Sequence, residues 1–75
     1  MTMFRIGRDE VKSLKESYPV GTRIVCNFCS DPYNPIASGT KGTVRVVDDM
    51  GTVHCNFDNG RSFGLIPGED SFSKI

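Results

Sequence analysis

With 75 residues, nine of them basic and nine acidic, the chain has room for one small domain and one core, and it lacks the basic excess that usually marks binding to a phosphate backbone. Domains of this size often lean on disulfides, a metal or self-association, so each has to be weighed. The cysteine count is odd, at Cys26, Cys29 and Cys55. Met1 to Arg8 carries no apolar leader and no run is long enough to span a bilayer, which points to a soluble protein in a reducing compartment, the cytoplasm.

In chain order, Arg5, Arg8, Lys12 and Lys15 are interleaved with Asp9, Glu10 and Glu16, the mixture of a solvated helix face rather than a polybasic arm. The pattern predicts a helix over Asp9 to Ser17, capped by Asp9 and stopped by Pro19, with Val11, Leu14 and Tyr18 on one side. A helix of about two turns is marginal alone, so its apolar side is expected to lie on a sheet. Residues 1–19 thus form an N-terminal segment and helix, and 20–75 the β domain. Thr22 to Phe28 alternates Ile24, Cys26 and Phe28 with Arg23, Val25 and Asn27 and reads as a first strand with Ile24, Cys26 and Phe28 facing inward. From Cys29 to Gly39 the alternation stops. Asp31-Pro32, Asn34-Pro35 and Ser38-Gly39 are loop dipeptides, and a loop this long on a small domain is commonly functional.

Gly39 to Pro67 encodes two successive hairpins. In the first, Val46 is expected opposite Val53 and Val44 opposite Cys55, leaving Asp48-Asp49-Met50-Gly51 as the loop. The outer face then sets Lys41 against Asp58 as an ion pair, Thr43 against Asn56 and Arg45 against His54. For the second turn, an Asn59-Gly60 loop would send Phe63 and Leu65 outward and forfeit roughly 1.5 to 3 kcal/mol for each. A three-residue Asp58-Asn59-Gly60 turn with a glycine bulge pairs Cys55 with Phe63 and Val53 with Leu65, and is preferred. After the breakers Ile66 to Asp70, the stretch Ser71 to Ile75 supplies a short closing strand.

The expected fold is therefore mainly β: five short strands whose order, long first loop and single turn before the last strand resemble an SH3-like small barrel, with the short N-terminal α-helix capping one open end. The motifs Tyr18-Pro19-x-Gly21-Thr22-Arg23, Asp31-Pro32-Tyr33, Gly39-x-Lys41-Gly42-Thr43-Val44, Asp48-Asp49-x-Gly51-Thr52, Phe57-Asp58-Asn59-Gly60 and Leu65-Ile66-Pro67-Gly68 resemble a family of short uncharacterised domains. That family is carried largely by phages and other mobile elements of Gram-positive bacteria. The resemblance runs from Tyr18 to the C-terminus and brings no established activity. Two departures stand out: the family pattern has tryptophan where Phe57 stands, and it does not require Cys26, Cys29 or Cys55.

Cys26 and Cys29, in a C-x-x-C, with His54-Cys55 downstream, supply four possible metal ligands. Adjacent strand residues point to opposite faces, so His54 and Cys55 do not converge on one ion, and Cys26 is needed in the core; buried thiols and no metal are expected. A thioredoxin-like role lacks its βαβ context. His54, the single histidine, has Arg45 and a glycine as expected cross-strand neighbours, which supply neither an acidic orienter nor a nucleophile. Asp48-Asp49 reads as a solvated turn, and neither a catalytic residue nor a cofactor is expected.

What remains is binding. The favoured reading is a noncatalytic protein that uses Asp31, Tyr33 and Asn34 of the long loop with Arg45, His54 and Asn56 of the sheet to engage a host protein or a small anionic ligand. The mobile-element resemblance implies an accessory, counter-defence role, such as inhibiting a host immune protein or sequestering its nucleotide signal. Proline-rich peptides are not expected as ligands without tryptophan or an aromatic groove. The alternatives are nucleic-acid binding through Arg23, Lys41, Arg45 and Arg61 beside the glycine-centred Gly39-x-x-Gly42 hairpin, and a structural module acting only by self-association into homo-oligomers.

Overall fold

A computed structural model describes residues 8–75; the expectations that Met1 to Gly7 carries no apolar leader and that Arg5 belongs to the mixed-charge segment lie outside the described residues. Helix α1 spans Arg8–Ser17 and is followed by strands β1 (Arg23–Phe28), β2 (Lys41–Val47), β3 (Val53–Phe57), β4 (Ser62–Leu65) and β5 (Ser71–Lys74). All five strands belong to one antiparallel sheet in the order β4-β3-β2-β1-β5. The mainly-β expectation is met. Among the described residues the sheet is open, however, with β4 and β5 at its two edges and no strand pairing between them, so the hydrogen bonds do not close a barrel.

The core is a single cluster of Ile24, Cys26, Cys29, Ile36, Val44, Val47, Val53, Cys55, Phe57 and Leu65, against which Leu14, Tyr18, Phe63 and Phe72 pack from its margin. Val11 is buried, so α1 does lay Val11, Leu14 and Tyr18 toward the sheet. Its start differs from expectation: Asp9 lies inside the first turn rather than at the cap, where its charge still complements the positive end of the helix dipole.

The Asp58-Asn59-Gly60 turn has the predicted register, with Cys55 opposite Phe63 and Val53 opposite Leu65. Gly60 adopts φ 92°, a conformation that costs glycine little. Gly42 is buried for a different reason: a Cβ there would come within 2.7 Å of the Phe57 ring, so the bare backbone makes room for the aromatic side chain.

Two bulges depart from strict alternation. In the first hairpin Val44 does face Cys55, but Val46 faces His54 and Val47 faces Val53. Arg45 is the extra residue, so it does not pair with His54, and Val47 enters the core where Val46 was expected. Turn chemistry explains the shift: Asp48 follows Val47 directly, its Oδ1 accepts the amides of Met50 and Thr52 at 2.9 Å, and Gly51 takes φ 86°. The loop therefore runs from Asp48 to Thr52. The second bulge falls between Cys26 and Phe28 on β1, where the partners step from Phe72 to Ser71. Phe28, expected inside, is 59% exposed, and Cys29 takes the buried place beyond it.

Candidate functional site

The outer face of the sheet carries polar side chains that largely satisfy one another. Arg23 on β1 donates to both carboxylate oxygens of Asp58, at 2.9 and 2.7 Å, and also to Thr43 Oγ1 at 2.9 Å. Arg23 is thus the ion-pair partner of Asp58, in place of the expected Lys41. The guanidinium holds the Asp58 carboxyl below its ordinary range by hydrogen bonding first, with the nearby charges of Arg23 and Lys41 adding to it. Thr43 faces Asn56 as predicted, and Asn56 Oδ1 accepts from Ser62 Oγ at 2.9 Å. Arg45 is exposed at its bulge.

His54 has an acidic partner that the sequence reading did not supply. Its Nε2 lies 2.8 Å from Asp48 Oδ2, so one carboxylate joins the imidazole to the amides of the hairpin loop. His54 was expected to meet only Arg45 and glycine; the bulge that removes Arg45 brings the loop acid into reach. The Asp48 carboxyl is held below the usual aspartate range, chiefly by the His54 hydrogen bond and then by the Thr52 amide. A group depressed on folding contributes stability above its unfolded value and loses it as pH falls through the folded one. The thermal midpoint should therefore decline as pH is lowered through the ordinary aspartate range and below. Asp48→Asn should flatten this decline in a pH series of melts, and an unchanged slope would show that the carboxylate is not coupled to folding.

The long loop from Cys29 to Thr40 is secured along its length. At its start, Ser30 donates its backbone N–H (2.7 Å) and hydroxyl (2.9 Å) to Asp70 Oδ1, while Asp70 Oδ2 accepts the Ile66 N–H at 2.8 Å. Asp31 Oδ1 accepts the Tyr33 N–H at 2.9 Å, a local turn of the kind aspartate favours. Arg61 donates to the carbonyls of Asn34 (2.7 Å) and Pro35 (3.0 Å) while its guanidinium lies 5.8 Å from the Phe63 ring centroid. Ile36 anchors the far side in the core. Between these fastenings Tyr33 stands 93% exposed.

The residues expected to form one site fall into two groups. Asp31, Tyr33 and Asn34 belong to a loop tied to Arg61 and Asp70. Arg45, His54 and Asn56 lie on the sheet, where His54 bonds to Asp48 and Asn56 to Ser62; among the described residues no hydrogen bond joins the two groups. Of the cations considered for nucleic acid, Arg23 is taken up by Asp58 and Arg61 by the loop. The thiols of Cys26, Cys29 and Cys55 are buried and free; burial pushes Cys55 up to about 11, the pKa of an unreactive thiol. Among the described residues no three metal-ligating side chains gather.

Two residues that hold the candidate loop in place carry no local signal in the sequence. Asp70 read as part of a breaker cluster, and nothing local in Pro67-Gly68-Glu69-Asp70 signals a buried acceptor forty residues from its partner Ser30. Arg61 was assigned to a basic strip, whereas its proximity to the loop carbonyls depends on how the loop folds back. The model of a family described as a domain of unknown function (DUF4314) matches residues 7–75. No curated protein matches the chain.

Proposed function

Since the chain belongs to this family of domains of unknown function, whose description assigns no activity, we propose from its geometry that it is a noncatalytic binding protein and that the Tyr33 loop is its contact surface. The observation that carries the reading is a fully presented aromatic side chain on a backbone fixed from both sides. Tyrosine buries large area at low entropic cost, and a loop already ordered in the free protein loses little more freedom on binding. The partner that suits such a projecting anchor is a protein with a pocket, in this reading a host protein in the bacterial cytoplasm. A counter-defence or other mobile-element accessory role follows from the family resemblance, and the strand order and long first loop support reading the sheet as an opened SH3-like small barrel.

His54 and Asp48 do not alter the noncatalytic reading. The Asp48 carboxylate is shared with two loop amides, so the pair is explained as a fastening of the hairpin. Nucleic acid is less favoured, since Arg23 and Arg61 already have partners.

The test is affinity capture from a lysate of a Gram-positive host, with mass spectrometry of retained protein and of any copurified nucleotide. Once a partner is retained, Tyr33→Ala should weaken it by roughly 2 kcal/mol, about thirtyfold in Kd, with the melting temperature unchanged. Retention that survives Tyr33→Ala combined with Arg45→Ala would overturn the assignment of the surface.

A further inference from the structure

The helix separates charges that the sequence interleaves. Arg8, Lys12 and Lys15 line one flank of α1 beside Asp49, to which Lys15 is paired at 2.8 Å. The other flank, with Asp9, Glu10, Ser13 and Ser17, borders a cleft of about 530 Å³ whose floor is Leu14, Tyr18 and Pro67. A second cleft of about 420 Å³ shares those three floor residues and continues along Gly68 to Phe72, with Glu69 on its wall. Together they make one groove between α1 and the start of β5, apolar below and acidic at the rim. From Asp9 to Tyr18 the helix rises about 13 Å, the length of roughly four residues of extended chain.

The wall formed by β5 adds backbone to this surface. Among the described residues, the edge position of β5 leaves one side of it without a strand partner. Its register sets Ile24 opposite Lys74 and Cys26 opposite Phe72, and the Ile75 N–H donates to the Arg23 carbonyl at 3.1 Å. In an antiparallel pair bonded and non-bonded positions alternate, so Phe72 and Lys74 direct their N–H and C=O groups away from β1, toward the free edge. The groove also accepts a cation within the molecule: Lys74 Nζ lies 5.2 Å from the Tyr18 ring centroid, and Tyr18 in turn packs on Phe72 with ring centroids 5.5 Å apart.

We propose that this groove is a second binding surface, separate from the Tyr33 loop, for an extended segment of a partner protein that alternates apolar residues with lysine or arginine. The segment adds as a strand along β5, sets its apolar side chains over Leu14, Tyr18, Pro67 and Phe72, and places its cations against Asp9 and Glu69. Main-chain bonds to the edge supply affinity, and the acidic rim selects a basic sequence over an acidic one. None of the groove's lining residues lies in the loop that carries Tyr33, and the substitutions that test the groove leave Asp70, which lines the second cleft and holds Ser30, unchanged, so the two surfaces are tested separately.

The test is an NMR titration of the full, ¹⁵N-labelled chain with a capped Leu-Lys-Leu-Lys-Leu peptide and its Leu-Glu-Leu-Glu-Leu counterpart. The lysine peptide should shift the amides of Leu14, Tyr18, Phe72 and Lys74 and leave Tyr33 in place, while the glutamate peptide binds at least about tenfold more weakly. Asp9→Lys with Glu69→Lys, both exposed positions, should weaken the lysine peptide about tenfold while the spectrum stays that of the folded chain. Equal binding of the two peptides, no shift at millimolar peptide, or shifts confined to other amides would overturn the proposal. Concentration-dependent shifts of the same amides without peptide would overturn it in favour of a second copy of this chain.

Discussion

Replacing Asp70 by alanine should lower the stability of the domain by about 3 to 4 kcal/mol, because three donors lose the acceptor on which they converge. Asp70 is only 8% exposed, so water does not readily take its place. At about 0.05 to 0.15 kcal/mol per residue a chain of this length has roughly 4 to 11 kcal/mol in all, which makes this carboxylate a large share of the total. A fall in melting temperature of about 15 °C or more is expected. Asp70→Asn should recover only part of it. Both carboxylate oxygens act as acceptors, Oδ1 for Ser30 and Oδ2 for the Ile66 amide, and an asparagine offers one oxygen and turns a donor toward the other site. Amide exchange at Ser30 and Ile66 should accelerate in both variants. A neutral Asp70→Asn would show that the two-sided acceptor is not what joins the loop to the β4–β5 connection.

The same residue links stability to function, since Ser30 begins the loop that presents Tyr33. Loosening Ser30 frees the loop at its origin while leaving the Arg61 bonds to Asn34 and Pro35 at the far side. A partner binding through Tyr33 would then have to order part of the loop itself. Such an effect on binding, beyond the loss of folded protein, separates Asp70 from residues that act through the core alone.

How much of this was legible in the chain depends on the range of the interaction. The Asp58-Asn59-Gly60 turn could be chosen because the competing register exposed Phe63 and Leu65, a difference visible within ten residues. The order of strands and the helix that packs through Val11, Leu14 and Tyr18 were likewise set by local periodicity. Both bulges escaped notice. Alternation predicts a face only while the pairing is regular, and a single extra residue at Arg45 or near Asn27 reverses everything beyond it on that strand. Of the candidate surface, Tyr33 was identifiable from loop composition. The division of the candidate site into two groups was not, because it depends on where Arg61 and Asp70 meet the loop across long sequence separations. The charge-segregated flanks of α1 were present in the helical spacing of Arg8, Lys12 and Lys15 against Asp9, Ser13 and Ser17, but an interleaved string of signs conceals them until a groove gives one flank a meaning.

The bulge at Arg45 yields the sharpest contrast between neighbours. Val47 is 5% exposed and pairs with Val53, whereas Val46 is 42% exposed and pairs with His54 on the outer face. Val47→Asp buries a carboxylate among Val53 and the rest of the core, a change of about 3 to 5 kcal/mol or more, comparable with the whole stability of the domain. Circular dichroism should find this variant largely unfolded at room temperature. Val46→Asp, one residue earlier, should keep its unfolding free energy in urea within about 0.5 kcal/mol of the parent, since its side chain reaches solvent beside Lys15 at the foot of the helix. An unbroken alternation through Val44 and Val46 demands the reverse ranking. If Val46→Asp unfolds the protein and Val47→Asp does not, the hairpin pairs without its bulge, Arg45 stands opposite His54, and Asp48 is no longer placed to hold the imidazole and the loop amides together.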